Sequence, residues 1–217
     1  MVLFTLLLIL AFMAVGLGAC TPVSRESDRL TPVDLTPVIH RSQSVSYREV
    51  PTNQVIDEAE AIFIGRVMAI SPSRWNQDSG KYWEDEKAEM ATLQYYEVTL
   101  EVEEFIVNDI GLGSPVVLTV LGPSPADNEF GIHGNAPQRA ITGHLSFQRE
   151  ERALLFVKYV PMAWRGGPKE RLMLVGGPQG KYTITEDGQA LNASSAKRNT
   201  TLTEIRKIIA VRRRGRP

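Results

Sequence analysis

The sequence has only one cysteine among its 217 residues. A single thiol excludes an intramolecular disulfide and any zinc or iron–sulfur site that is built from several cysteines. Excess charge is also lacking, because 24 Lys and Arg residues stand against 25 Asp and Glu residues. A near-neutral chain does not carry the broad basic footprint that nucleic-acid binding requires, so we expect no nucleic-acid partner.

Familiar catalytic motifs are missing as well. The sequence contains no Gly-x-Ser-x-Gly nucleophile elbow and no Gly-x-x-x-x-Gly-Lys-Ser/Thr phosphate loop. A Gly-x-Gly-x-x-Gly dinucleotide fingerprint after a strand is absent too. The sequence therefore favours a protein that is not an enzyme and needs no cofactor.

The first twenty residues carry the most specific signal. Residues 2–19 contain no charged side chain, and this run is just long enough for a short membrane span. The run ends in Leu17-Gly18-Ala19-Cys20, and small residues before a cut site are typical of a signal peptide. This order resembles the lipobox of bacterial lipoproteins. The resemblance implies a signal peptide at 1–19 and lipidation of Cys20, with Cys20 as the first residue of the mature chain.

One departure from this pattern keeps an alternative open. Signal peptides usually begin with Lys or Arg, and residues 1–4 contain neither. The alternative is an uncleaved N-terminal span with a chance cysteine. Both interpretations predict a protein of the cell envelope, anchored to a membrane on its extracytoplasmic side. In the lipoprotein interpretation, the membrane is a partner through the lipid on Cys20.

Composition divides the rest of the chain into a tether, a folded domain and a tail. Residues 20–49 repeat Thr-Pro-Val three times, beginning at Thr21, Thr31 and Thr36. Proline fixes its own φ and biases the preceding residue to extended conformations, which predicts a semi-rigid tether. We expect a β-barrel domain with a C-terminal helix at 50–212 and a basic tail at 213–217.

Hydrophobic periodicity predicts the fold class. Residues 61–70 form a nearly continuous apolar run, and residues 93–107 alternate apolar with acidic side chains, so both predict strands. A short helix is predicted at 52–60, capped by Thr52 or Asn53, and an amphipathic helix at 201–211. We predict a mainly β protein: a small OB-like antiparallel barrel, closed or nearly closed, with these two helices.

Three of the predicted strands carry a resemblance to netrin-like and TIMP-like domains, over residues 50–185. They read Ala-Ile-Phe-Ile-Gly-Arg-Val from Ala61, Tyr-Glu-Val-Thr-Leu-Glu-Val from Tyr96 and Glu-Arg-Ala-Leu-Leu-Phe-Val from Glu151. The resemblance implies an OB-type barrel, as in uncharacterised bacterial envelope proteins. Animal members of the family are cross-linked by disulfides, and inhibitory members chelate zinc with a free N-terminal cysteine. An acylated Cys20 does not support that mechanism.

Two long loops hold the candidate sites. Trp75, Tyr82 and Trp83 are unusual in a polar loop, and such aromatic residues either anchor an envelope protein or glycan partner or fold back over one end of the barrel. The second loop brings His133 and His144 near Asp127 and Glu129 in sequence. These four residues suit a divalent metal, and the alternative function is a metal-assisted hydrolase. Loop histidines without a ligand role are the competing interpretation.

The near-zero net charge conceals two charged regions of opposite sign. Residues 74–104 carry nine acidic and three basic residues, and residues 197–217 carry eight basic residues and one acidic residue. The acidic region predicts a solvated strand face. The basic region complements the dipole of a C-terminal helix. It also suits anionic lipid, which leaves a structural envelope protein as a third interpretation.

Overall fold

The computed structural model describes residues 48–83, 92–128 and 145–214, which belong to one compact unit of the chain. Cys20, the predicted signal peptide and the tether up to residue 47 lie outside the described residues. So do Glu129, His133 and His144 of the predicted metal set.

Nine strands and two α-helices form the described part of the domain. In chain order they are α1 (Thr52–Glu58), β1 (Ala61–Ile70), β2 (Arg74–Trp75), β3 (Gln94–Asn108), β4 (Val116–Leu121), β5 (Arg152–Met162), β6 (Lys169–Leu174), β7 (Lys181–Ile184), β8 (Gln189–Asn192), β9 (Thr200–Thr201) and α2 (Leu202–Arg213). The mainly β class and both predicted helices are confirmed.

All strand pairs of the sheet are antiparallel. The strand order is β2-β3-β1-β5-β7-β8-β9, with β4 paired to β3 and β6 paired to β5. Strands β4 and β6 come close to each other, but no hydrogen-bonded ladder joins them in the described part of the chain. The sheet is therefore antiparallel, as predicted, but not closed into a full barrel.

Strand β1 is buried on both faces because it lies between two hydrophobic clusters. Phe63 and Val67 face one cluster, together with side chains of β3, β4 and β6. Ile62 and Ile64 face the other, together with the two helices. This double burial explains the nearly continuous apolar sequence of the strand, which is typical of strands covered on both sides.

Strand β3 follows the predicted period of two. Tyr96, Val98 and Leu100 lie in the first hydrophobic cluster and are almost fully buried. Glu97 and Glu101 alternate with them on the outer face, where Glu97 is partly exposed and Glu101 is exposed. Successive side chains of a strand point to opposite faces, so the alternation in sequence becomes the two sides of the sheet.

The two helices begin in different ways. The side chain of Thr201 accepts a hydrogen bond from the Glu204 amide at 3.1 Å, so Thr201 caps the N-terminus of α2. The predicted cap of α1 is wrong: its N-cap is Pro51, and no side chain caps it. Thr52 is instead the first helical residue. The helix cannot begin earlier because Pro51 has an extended backbone conformation.

A buried glutamine attaches the first described residues to the sheet. The Gln179 side chain accepts a hydrogen bond from the Val50 amide and donates one to the Arg48 carbonyl at 2.8 Å. Gln179 is only 4% exposed. Its side-chain amide therefore supplies hydrogen-bond partners to backbone groups at a buried position, where such groups need a partner.

Candidate functional site

The three aromatic residues singled out in the sequence meet at one end of the sheet, but they differ in exposure. Trp75 and Trp83 are buried, and Tyr82 keeps 38% of its surface exposed. The Trp75 and Tyr82 rings pack edge to face with their centroids 4.9 Å apart. Of these three residues, Tyr82 therefore presents the ring that a partner can reach directly.

A fully buried asparagine holds this aromatic end together. The Asn76 side-chain oxygen accepts hydrogen bonds from the Trp83 indole N–H at 3.0 Å and the Leu93 amide at 2.9 Å. Its side-chain nitrogen donates to the Ala163 carbonyl at 3.0 Å. Asn76 thus joins three separate segments of the chain, which fixes the loop after β2 against the loop after β5.

Trp164 is a further buried aromatic residue that the sequence pattern did not single out. Its ring lies 5.5 Å from the Tyr95 ring, centroid to centroid, and Met162 completes the cluster. The Trp164 indole N–H donates to the Asp78 carboxylate at 2.9 Å. Trp164 follows the end of β5 within a short Gly- and Pro-rich loop, so no strand or helix periodicity marks it.

Three cationic side chains cover the two buried indoles. The Arg165 guanidinium lies 5.4 Å from the Trp83 ring centroid. The Lys169 ammonium and the Arg171 guanidinium lie 4.9 and 4.6 Å from the Trp164 ring centroid. Cations at these distances are attracted by the negative face of the ring, so the indoles fix the positions of the charges.

Two carboxylates lie among these cations. Asp78 accepts a hydrogen bond from Lys169, and Glu97 lies 3.9 Å from Arg74 and 3.7 Å from Arg171. The hydrogen bond from Lys169, and then the one from Trp164, lower the pKa of Asp78 below its ordinary value. We call this region the cation–aromatic surface; its members are Arg74, Asp78, Tyr82, Trp83, Glu97, Trp164, Arg165, Lys169 and Arg171.

The chemistry that this surface offers is recognition of an anion. Its cations outnumber its carboxylates by four to two among the described residues. Arg74, Arg165 and Lys169 are exposed, whereas the aromatic rings beneath them are largely buried. Such an arrangement positions charges for a partner without supplying a nucleophile next to a general base.

Asp127 is the one member of the predicted metal set within the described residues. Its carboxylate accepts hydrogen bonds from the Ser73 amide at 2.8 Å, from the Ser73 hydroxyl and from the Ser124 amide at 3.3 Å. The bonds from Ser73 fix the loop after β4 against the segment between β1 and β2. In the described parts of the chain, no group of three His, Cys, Asp or Glu side chains is placed to hold a metal ion.

A buried ion pair lies away from the cation–aromatic surface. The Lys181 ammonium lies 2.7 Å from Glu151, and their side chains are 4% and 10% exposed. Lys181 also donates to the Ser146 carbonyl and lies 4.3 Å from the Phe147 ring centroid. Burial lowers the pKa of Lys181, against the opposing effect of Glu151. The pair fastens residues 146–151 to β7.

The basic C-terminal region forms ion pairs with the rest of the domain. Arg206 pairs with Glu104, and Arg212 pairs with Asp57. Arg213 pairs with Asp109 at 2.9 Å and also donates to the Ile56 carbonyl at the end of α1. These arginines therefore bind α2 to α1, to β3 and to the turn that follows β3.

The fold and the site together define an antiparallel β domain with two flanking helices and the cation–aromatic surface. The described residues include no helix that is long and apolar enough to cross a membrane. No protein-family model matches the chain, and searches of curated proteins and of solved structures returned no match. The resemblance to netrin-like and TIMP-like domains accordingly stays a prediction.

Proposed function

We propose that this protein is a bacterial lipoprotein, anchored by lipid on the extracytoplasmic side of a membrane, whose β domain serves as a non-catalytic binding or assembly module. The observation that carries the proposal is Leu17-Gly18-Ala19-Cys20 at the end of an uncharged run. In this proposal, the thiol of Cys20 first receives a diacylglyceryl group, and residues 1–19 are then removed as a signal peptide. The new amine of Cys20 receives an acyl chain such as palmitate.

The physical basis of the anchor is the burial of acyl chains in the bilayer. Each buried CH₂ contributes about 0.8 kcal/mol, and two or more chains give stable attachment where a single chain does not. The Pro-rich residues 20–49 would act as the spacer between lipid and domain. A polyproline II chain spans about 3.1 Å per residue, which limits the domain to tens of ångströms from the bilayer.

The binding half of the proposal rests on the cation–aromatic surface. Three of its four cations lie over buried indoles, and Tyr82 is 38% exposed. Arginine and aromatic side chains dominate the energetics of many protein interfaces. An envelope protein or glycan with complementary charge is the partner class that these residue types suit.

One experiment in cells tests both halves. The full chain is expressed with a photo-reactive phenylalanine at position 82 or, as a control, at position 159, because Tyr82 and Tyr159 have similar exposure at 38% and 43%. Each is made with Cys20 and with Cys20→Ala. We expect mass spectrometry to find an acylated chain beginning at Cys20, lost in Cys20→Ala, and cross-linked adducts at position 82 but not at position 159.

The two halves fail separately. An unmodified chain beginning at Met1 would falsify lipidation, and membrane retention of the Cys20→Ala variant would indicate an uncleaved span. Equal adduct yields at positions 82 and 159, or none at either, would contradict a binding role for the cation–aromatic surface.

A further inference from the structure

We propose that the partner of the cation–aromatic surface is an extended acidic peptide segment whose carboxylates stand at every second residue. This inference rests on the proposed binding function and names the chemistry of the partner. It follows from three features of the surface: its unbalanced charge, the fixed positions of its cations, and the spacing of Lys169 and Arg171.

The first feature is the unbalanced charge of the described residues of this surface, which are four cations and two carboxylates. Arg74 and Arg171 share the single carboxylate of Glu97, at 3.9 and 3.7 Å. Arg165 contacts a neutral amide, with its guanidinium N–H donating to Gln77 at 3.1 Å. Like charges that share one counter-ion repel each other, so an additional carboxylate is attracted to this surface.

The second feature is that three of the four cations are already held in position. Lys169 and Arg171 lie over one indole ring, and Arg165 lies over another. Long basic side chains normally lose rotamer entropy when they bind a ligand, and stacking on a ring removes part of that cost before binding. The planar guanidinium groups also match the two oxygens of a carboxylate.

The third feature is the spacing along β6. Lys169 and Arg171 are two residues apart in a strand, so their side chains project from the same face, as their shared contact with Trp164 shows. A strand rises about 3.3 Å per residue, which separates these side chains by about 6.6 Å at their Cα atoms. Alternate residues of an extended peptide have the same repeat.

The surface itself shows that its cations accept carboxylates. Asp78 and Glu97 are the anions that Lys169, Arg74 and Arg171 hold. The exposed part of Tyr82 adds an apolar contact that a peptide side chain can use. A peptide with alternating Glu and Thr residues places a negative charge at every second residue, which matches the spacing of Lys169 and Arg171. It is the simplest probe.

The test measures binding of two synthetic ten-residue peptides of equal charge to the purified full chain in neutral detergent micelles. One peptide alternates Glu with Thr, and the other places five Glu residues before five Thr residues. We expect the alternating peptide to bind more tightly, and we expect Lys169→Gln and Arg171→Gln each to weaken it about tenfold at low salt, since charge-assisted hydrogen bonds are lost.

The matched controls are Arg66→Gln and Lys158→Gln. These cations also pair with glutamates, Glu103 and Glu58, but they do not belong to the cation–aromatic surface. The affinity of each control variant for the alternating peptide should stay within twofold of the affinity of the unaltered chain. Circular dichroism and the melting temperature confirm that each variant is folded.

The inference would be overturned by an absence of peptide binding, by equal binding of the two peptides, or by equal weakening in the control variants. Tighter binding to vesicles with anionic headgroups than to neutral vesicles, when Lys169→Gln abolishes the difference, would also overturn it, in favour of a lipid surface. The comparison with neutral vesicles removes the contribution of a lipid anchor. Position-82 adducts in cells without peptide binding would leave the proposed function intact and reject only the acidic peptide.

Discussion

At the scale of single residues, the most demanding contact is the buried pair of Lys181 and Glu151. Burying an ion pair costs desolvation energy, which is recovered only when hydrogen bonds satisfy both groups. Here Lys181 bonds to the Ser146 carbonyl, and Glu151 accepts from the Thr183 hydroxyl and the Gln148 amide. Each charge therefore depends on the other, and removal of one leaves its partner buried without a counter-ion.

We predict that Lys181→Met destabilises the protein by about 3 kcal/mol, because it leaves the Glu151 carboxylate buried and unpaired. The double variant Lys181→Met/Glu151→Gln should recover a large part of that loss, since no charge remains. Urea unfolding followed by circular dichroism measures both. The control is Lys158→Met, which removes a partly exposed pair with Glu58 and should cost at most about 1 kcal/mol. A double variant as unstable as the single one would contradict this account.

Single residues also show where prediction from sequence ended. Trp75, Tyr82 and Trp83 were recognisable because large aromatic side chains stand out in a polar loop. Asn76 and Trp164 were not, because an asparagine near a turn and a tryptophan beside glycines carry no periodic signal. Their roles depend on contacts between segments almost ninety residues apart, which no local pattern contains.

At the scale of elements, the strands and helices with strong periodicity were predictable. The predicted strand at residues 61–70 is β1, and the long alternating strand is β3. The short elements β2, β8 and β9 were not predicted, because two to four residues do not establish a period. Sheet closure was not predictable either, since it depends on how β4 meets β6 in space.

The contact between the two helices gives a prediction at this scale. Arg213 of α2 reaches the end of α1, donating to the carbonyls of Ile56 and Ala59 while it pairs with Asp109. Those carbonyls lie at a helix terminus, where intrahelical partners run out. Arg213→Gln should therefore destabilise the protein by about 1–2 kcal/mol and speed amide hydrogen exchange in residues 52–59.

The neighbouring arginine provides the control for that measurement. Arg212 pairs with Asp57 but is more exposed than Arg213, at 42% against 15% of the side chain. Exposed pairs contribute little, so Arg212→Gln should change stability by no more than about 0.5 kcal/mol. If both variants lost the same stability, Arg213 would not act as a helix cap.

At the scale of the whole molecule, β1 and β5 couple the two hydrophobic clusters. Leu155 of β5 lies in the first cluster, and its neighbours Leu154 and Phe156 lie in the second. If β1 and β5 separate, both hydrophobic clusters lose the side chains that these strands contribute. The described domain should therefore unfold as one cooperative unit, as most small domains do.

Tryptophan fluorescence tests this coupling, because Trp75, Trp83 and Trp164 all report on the aromatic end, whereas α2 packs on the second cluster. Ile209 of α2 is buried, so Ile209→Ala should lower stability by about 3 kcal/mol. The fluorescence and circular dichroism midpoints should shift together. Val211→Ala, at a residue 65% exposed, should leave both unchanged. Separate midpoints would show that α2 melts independently.

The hydrogen bonds of Gln179 have a mechanical consequence. Its one side-chain amide binds the backbone at both Arg48 and Val50, ahead of the first helix. Tension applied to the preceding chain therefore reaches these two hydrogen bonds, and the Glu49–Arg198 ion pair between them, before it reaches α1. Helix α1 is shielded from that load as long as the hydrogen bonds of Gln179 to Arg48 and Val50 remain intact.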